Sequence, residues 1–208
     1  MKSISSAFLS ALIAARDTGV APRFFVWFEG KNRASGSLET LGLWSGDYDV
    51  TVNVTSGVTG QPVARPYLGA GALLAISPIR QVSDLTIQTV TVDLSQIAPA
   101  AQEIVRGYDV RLGKIEIHEI TLDPSSRQPV GTPELVFMGE IDGAPITTPA
   151  AGGEGSIKIH AASDAISMLT RKNYQKSSYE AQKRRGGDEW GKYGAVVANW
   201  TIPWGQKA

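Results

Sequence analysis

The segment Tyr67–Ser95, YLGAGALLAISPIRQVSDLTIQTVTVDLS, is where the fold is decided. It joins a glycine-punctuated apolar run to the longest β-like stretch in the chain. Between Asp84 and Leu94, Ile87, Val90 and Val92 stand among threonines. β-Branched side chains are stiff about their first torsion and suit a pleated surface better than a helix. The alternation contains a fault. Leu85 and Ile87 share one face, whereas Val90, Val92 and Leu94 share the other, so the phase changes at Gln88-Thr89. Because side chains alternate with period two, this predicts a bulge, or one strand crossing between two buried faces. A bent strand of that kind suits a barrel or the corner of a sandwich. Two short strands with an irregular joint account for the same residues.

Upstream, the helical spacing of Ile4, Phe8, Leu12 and Ala15, flanked by Leu9 and Ile13, predicts a helix over Ser3 to Asp17. Ser3 can cap its start and Gly19 its end. Its wide apolar face has to dock, either on its own domain or on a neighbouring subunit. Pro22–Glu29, PRFFVWFE, is nearly continuous in apolar residues and predicts a strand buried on both faces. Gly30 to Ser37 reads as a basic turn. Leu41–Trp44 and Tyr48–Thr55, split by Ser45-Gly46-Asp47, read as strand, turn and strand. Val50, Val52 and Val54 alternate with Thr51 and Asn53, which gives the second of these one wet face. Ser56 to Pro66, with two glycines and two prolines, reads as a long loop.

Downstream, Ser77-Pro78 predicts a turn. Ile97 to Arg106 predicts one short helix, with Pro99 admissible only in its first turn and Gly107 stopping it. Tyr108 to Leu122 is β-like, Val110 and Leu112 on one face and Ile115 and Ile117 on the other, with Gly113 at the change. Glu134–Asp142 predicts a strand and Pro145–Gly155 a loop. Ser156–Ala162 predicts a strand with Ile157 and Ile159 inward and Lys158 and His160 outward. Ile166, Met168 and Leu169 mark a helical turn. The expected class is therefore mainly β: a β-barrel or sandwich with an N-terminal helix, one short internal helix and an extended C-terminal tail. The expected divisions are 1–20, 21–170 and 171–208.

Composition narrows the function. Apolar residues make up 42% of the 208, enough to exclude wholesale disorder. Twenty Lys and Arg balance twenty Asp and Glu, so no global field favours nucleic acid or an acidic membrane. The absence of cysteine excludes disulfides, thiolate zinc sites and cysteine-held iron–sulfur clusters within this chain. No apolar run approaches the length of a bilayer span. The segment Ala7–Ala15 is interrupted by Arg16 and Asp17 and reads as mature protein rather than as a signal peptide.

Catalytic signals are thin. His118 and His160, the two histidines, both fall inside predicted strands, where a satisfied or solvated side chain is the ordinary outcome. No nucleophile-elbow pattern is present. Glu140/Asp142 and Asp188/Glu189 resemble acid–base pairs, but twenty acidic residues produce such pairs by chance. Gly69-Ala70-Gly71 lacks the third glycine and following helix of a nucleotide fingerprint and reads as a close backbone approach. No catalytic, cofactor or metal residue is expected.

The basic run carries more. Arg171 to Lys192 holds seven Lys and Arg against three Asp and Glu, interleaved with Tyr174, Tyr179, Trp190 and Tyr193. Basic and aromatic side chains together make either a single-strand nucleic-acid platform or a protein docking arm, and the neutral chain favours the second. Expected interface residues are Phe8 and Leu12 on the helix, and Tyr179, Arg184, Arg185, Trp190, Trp200 and Trp204 in the tail.

The order of these segments resembles a known pattern. GALLAISPIRQVSDLTIQTVTVDLS is followed by Gly107-Tyr108-Asp109-Val110, then by Glu134 to Ile141, then by Ser156 to Arg171. Tyr179, Gln182, Gly187-Asp188 and Trp204-Gly205 close it. This succession, from Tyr67 to the C-terminus, is similar to the tail-tip or baseplate hub proteins of long-tailed phages, prophages and gene transfer agents. The resemblance implies tail-tube-like β-barrel domains and a non-enzymatic virion protein of the tail tip. Its implied role is to close the distal tube around the tape-measure protein and adapt sixfold to threefold symmetry. Implied partners are further copies in a ring (a trimer, or else a hexamer), the distal tail protein, the tape-measure protein and other tail-tip proteins. Nucleic acid would only pass through the lumen, no membrane is involved, and assembly would occur in the bacterial cytoplasm. Some relatives carry a cysteine-rich iron–sulfur domain, which a chain without cysteine lacks. The alternatives from the residues themselves are a tail-associated cell-wall hydrolase and a single-stranded nucleic-acid-binding protein.

Overall fold

Strand β1 (Ala21–Asn32) organises the structure, because every one of its residues from Phe25 to Phe28 is buried and they point alternately to two cores. The computed structural model describes residues 6–19, 21–69, 71–80, 86–123, 128–150, 155–170, 177–197, 199–201 and 205. The chain divides into two units, Met1–Met168 and Leu169–Ala208.

In the first unit, β1 pairs antiparallel with β2 (Leu38–Trp44) on one side and β8 (Lys114–Leu122) on the other. The path continues through β9 (Glu134–Gly143) and β11 (Ser156–Ser163) to β6 (Thr89–Ser95) and ends at β5 (Leu73–Ile76). Two-residue strands β7 (Tyr108–Asp109) and β10 (Ile146–Thr147) add to β1 and β11. A separate hairpin, β3 (Val50–Thr55) with β4 (Pro62–Tyr67), covers part of one face. The protein is thus mainly β, as expected, but the sheet is not closed into a barrel: β2 and β5 end the path.

The two faces carry different cores. On the first, Val26 and Phe28 of β1 meet Ile115 and Ile117, Phe137 and Ile141, Ile157 and Ile159, and Val90, Val92 and Leu94. Helix α2 (Pro99–Gln102) and the π-helical turn Glu103–Gly107 supply Ala101 and Ile104 to the same core. Burying each branched aliphatic side chain contributes roughly 1.5–3 kcal/mol. On the second face, Phe25 and Trp27 pack with Trp44, Val54, Tyr67, Ile120 and Leu122. Phe25 stacks on Trp44 at 5.3 Å, and Tyr67 meets Phe25 edge-on at 4.8 Å, the offset and edge arrangements that ring quadrupoles favour.

Several expectations are corrected. The strand at the centre of the sequence pattern starts at Thr89, so the phase fault at Gln88-Thr89 marks a strand's beginning; residues 86–88 are irregular, and Asp84 and Leu85 lie outside the described residues. Ser56–Pro66 is not one loop: a tight turn ends by Gln61, and Pro62 opens β4. Pro62 and Pro66, opposite Thr55 and Thr51 of β3, are tolerated because the hairpin is a two-stranded sheet in which each strand is an edge. β1 runs on to Asn32, so the expected turn shortens to Arg33–Ser35. Leu38–Trp44 and Val50–Thr55 are both strands but do not pair with each other. The short helix is α-helical only to Gln102, and the expected loop after Pro145 contains β10.

Other readings hold. β11 buries Ile157 and Ile159 and exposes Lys158 and His160. A side chain at Gly69 would lie 2.5 Å from the Tyr48 carbonyl oxygen, the close approach expected there. Helix α1 (Ser6–Thr18) ends with the Gly19 N–H donating to Ala15 and Gly19 at φ +80°; the proposed cap Ser3 lies outside the described residues. In the second unit the tail is not uniformly extended. It forms α4 (Tyr179–Lys183), capped by the Ser178 hydroxyl accepting from Ala181, and α5 (Gly194–Val197). In chain order α3 (Ala165–Thr170) follows β11, at the expected helical turn.

Candidate functional site

Three groups of side chains are candidate sites: a buried polar cluster, a surface ion triad and the exposed apolar surface.

The buried cluster joins the hairpin to the sheet. Even-numbered residues of β8 from Glu116 to Leu122 face the second core, and two of them, Glu116 and His118, are polar and at most 1% exposed. A bare carboxylate there would be costly, so it is paired. Arg65 of β4 donates to both Glu116 oxygens, at 2.8 and 3.1 Å, in a bidentate fork. The Gly57 N–H donates to Oε2 at 2.9 Å and the Ser56 hydroxyl to Oε1 at 3.3 Å. The Arg65 guanidinium also lies 4.8 Å from the Trp27 ring centroid. Burial alone would raise the Glu116 pKa, but Arg65 and the Gly57 N–H hold it below the usual carboxylate range. His118 donates Nε2–H to the Thr55 carbonyl at 3.0 Å, which fixes the neutral tautomer, and burial pushes its pKa below the ordinary 6.5. The cluster fastens the β3–β4 hairpin onto β8. Sequence reasoning treated His118 as satisfied or solvated; the Thr55 bond satisfies Nε2, whereas Nδ1 is buried without a hydrogen-bond partner among the described residues, and Arg65 was passed over. A lone arginine between Pro62 and Pro66 in a polar stretch gives no periodic signal of burial.

The surface triad contains one of the expected acid–base candidates. Lys114 Nζ lies 2.9 Å from Glu140 and 2.8 Å from Asp164, so Glu140 already serves as a counter-ion across β8 and β9. Asp142 is exposed two residues along. In the second unit, Glu189 pairs with Lys192 at 3.0 Å and Asp188 accepts from the Trp190 N–H. His160 is exposed and within 3.1 Å of the Thr91 hydroxyl. Among the described residues no group of three His, Asp or Glu side chains is placed to hold a metal, and no helix is long and apolar enough to cross a membrane.

The exposed surface is where the expected interface residues fall. On α1, Phe8 is partly buried, whereas Leu12 is 37% and Ile13 69% exposed. In the second unit, Tyr179 is partly buried with Lys183 Nζ 5.7 Å from its ring, and Arg184 and Arg185 are exposed. Trp190, Tyr193 and Trp200 are 86%, 62% and 58% exposed. Trp204 lies outside the described residues. The first unit thus holds Phe8 and Leu12 and the second the tail residues. Scattered exposed apolar residues are ordinary, but three large aromatic side chains within eleven positions are not.

A scan of the chain against protein-family models and a search of curated proteins both returned no match.

Proposed function

We propose that this chain is a structural protein of the tail tip of a long-tailed phage, prophage or gene transfer agent, a hub component that closes the distal tail tube. The observation that carries this reading is the solvent-facing aromatic surface of the second unit, Trp190, Tyr193 and Trp200, in a chain with matched charges. Such rings are anchors of protein interfaces, and leaving them in water is unfavourable until a partner covers them. The ordered resemblance from Tyr67 to the C-terminus supplies the setting. A scaffold role also agrees with the Arg65–Glu116 and His118–Thr55 contacts, which fasten the β3–β4 hairpin to β8. In this reading the chain forms a ring with its own copies, a trimer in preference to a hexamer, and meets the distal tail protein and the tape-measure protein. It belongs to the virion and assembles in the host cytoplasm.

Deleting residues 171–208 tests it in the phage or prophage that carries the chain. The expected result is loss of assembled tails while the β unit still accumulates as a folded protein. Tails of normal form and infectivity from the truncated chain would overturn the reading.

A further inference from the structure

A cleft of about 490 Å³ opens beside β1, lined at its edges by Leu38, Leu112, Glu29, Asp109 and Asp142. Two leucines stand out of it into solvent: Leu38 is 66% and Leu112 70% exposed. The sequence pattern placed Leu112 on the same face as Val110, which is buried. The backbone puts it elsewhere. Leu112 has φ +60°, and it is the only residue other than glycine with positive φ among those described. That left-handed region is unfavourable for a residue with a Cβ.

The turn is pinned in place from both sides. Leu112 N–H donates to Ile141, Gly113 N–H to Val110, and Ile141 N–H to Gly113. A side chain at Gly113 would lie 1.9 Å from the Glu29 carbonyl oxygen, so this turn rests directly on the β1 backbone. Rigid neighbours therefore hold a leucine in a costly conformation whose effect is to project it into water. Such residues cluster where a surface is used.

Charge identifies the occupant. Residues 1–168 hold 12 Lys and Arg against 17 Asp and Glu, a net −5, and residues 169–208 hold 8 against 3, a net +5. The neutral chain is therefore two oppositely charged parts. The cleft shares the sign of its unit. Lys114 is already met by Glu140 and Asp164, which leaves Lys31 and Arg111 against Glu29, Asp109 and Asp142. The basic unit carries Arg184, Arg185 and, five positions on, the fully presented Trp190.

From these observations we infer that the cleft between Leu38 and Leu112 receives the Arg184–Trp190 segment of a second copy of this chain. The Trp190 indole lies between the two leucines, with Lys31 and Arg111 beside its ring face, and Arg184 and Arg185 meet the carboxylates at the rim. Each copy offers one cleft and one segment, a heterologous contact that closes into a ring when the rotation between copies permits. This deepens the tail-tip reading and rests on it only for the setting.

The test uses the full-length chain in sedimentation experiments across protein and salt concentration. Association is expected, weaker at high salt because exposed charges are screened. Leu112→Gly relieves the backbone and removes the side chain, so its fold is at least as stable while its association weakens. Trp190→Ala is expected to weaken association by roughly tenfold or more, as for an aromatic anchor. The decisive step mixes two variants. One carries Arg184→Glu and Arg185→Glu, and the other Asp109→Lys and Asp142→Lys. Each is expected to stay monomeric alone, and the mixture to associate, because the reversed segment of one fits the reversed cleft of the other. A wild-type chain that is monomeric throughout, or a mixture that fails to associate, would overturn the contact, including the case in which segment and cleft meet within one copy. Tails that incorporate the wild-type chain despite a failed mixture would leave the tail-tip reading standing. An associating mixture from a chain never found in tails would do the reverse.

Discussion

The two faces of the β1–β8 ladder are built by different means. The first is a mainly aliphatic core in which strand residues alternate inward, joined by Ala101 and Ile104 from α2 and the π-helical turn, and none needs a particular partner. The second is aromatic and polar, and its parts have specific partners: Arg65 with Glu116, His118 with Thr55, Phe25 with Trp44. An aliphatic face tolerates approximate complementarity, because burial is non-directional. A buried ion pair tolerates no loss of one member, because the remaining charge stays desolvated. The hairpin is thus held by a contact that discriminates between right and wrong docking, while the main sheet is held by area.

The largest expected effect breaks that contrast directly. Arg65→Ala strands the Glu116 carboxylate and is expected to destabilise the fold by about 3–5 kcal/mol in chemical denaturation. Arg65→Met combined with Glu116→Leu removes both charges and is expected to restore stability to within about 1 kcal/mol of the wild type. A double variant as unstable as the single one would show that the pair is not the cause. On the aliphatic face, Ile117→Ala leaves a cavity and is expected to cost about 3 kcal/mol, with no second substitution that rescues it by removing a partner.

A smaller effect concerns acid. Both Glu116 and His118 have folded pKa values below their unfolded ones. The unfolded chain therefore binds the extra proton first, and stability falls as pH falls. The His118 contribution is complete above its ordinary 6.5 and declines below it, and the Glu116 contribution is lost lower, in the carboxylate range. His118→Gln is expected to flatten the upper part of this decline in denaturation midpoints measured between pH 7 and 5. An unchanged profile would remove His118 from the explanation. The smallest effect lies off both faces. Leu112→Gly exchanges left-handed strain for the backbone freedom of glycine, and is expected to leave stability unchanged or raise it by up to about 1 kcal/mol. A marked loss would mean that the Leu112 side chain packs on its own fold.

Wherever side-chain direction follows from local period, the structure was legible in the residues. Burial on both faces of PRFFVWFE, over Phe25–Phe28, inward Ile157 and Ile159, and the glycine end of α1 all hold. Reading the phase fault at Gln88-Thr89 as a bend misjudged a strand's start, since alternation has no mark for where pairing begins. Of the expected interface residues, those described from Arg184 to Trp200 are exposed, which composition alone left open.

What the amino-acid sequence determined by itself was the β class, the strands with regular alternation and the concentration of basic and aromatic side chains after residue 170. What only the tertiary structure decided was which strand lies beside which, that Arg65 reaches Glu116 across 51 positions, and that Leu112 points outward. The reason is physical. A strand's own residues set the direction of its side chains, whereas pairing, charge partners and a forced turn are settled by groups distant in the chain that compete for the same space.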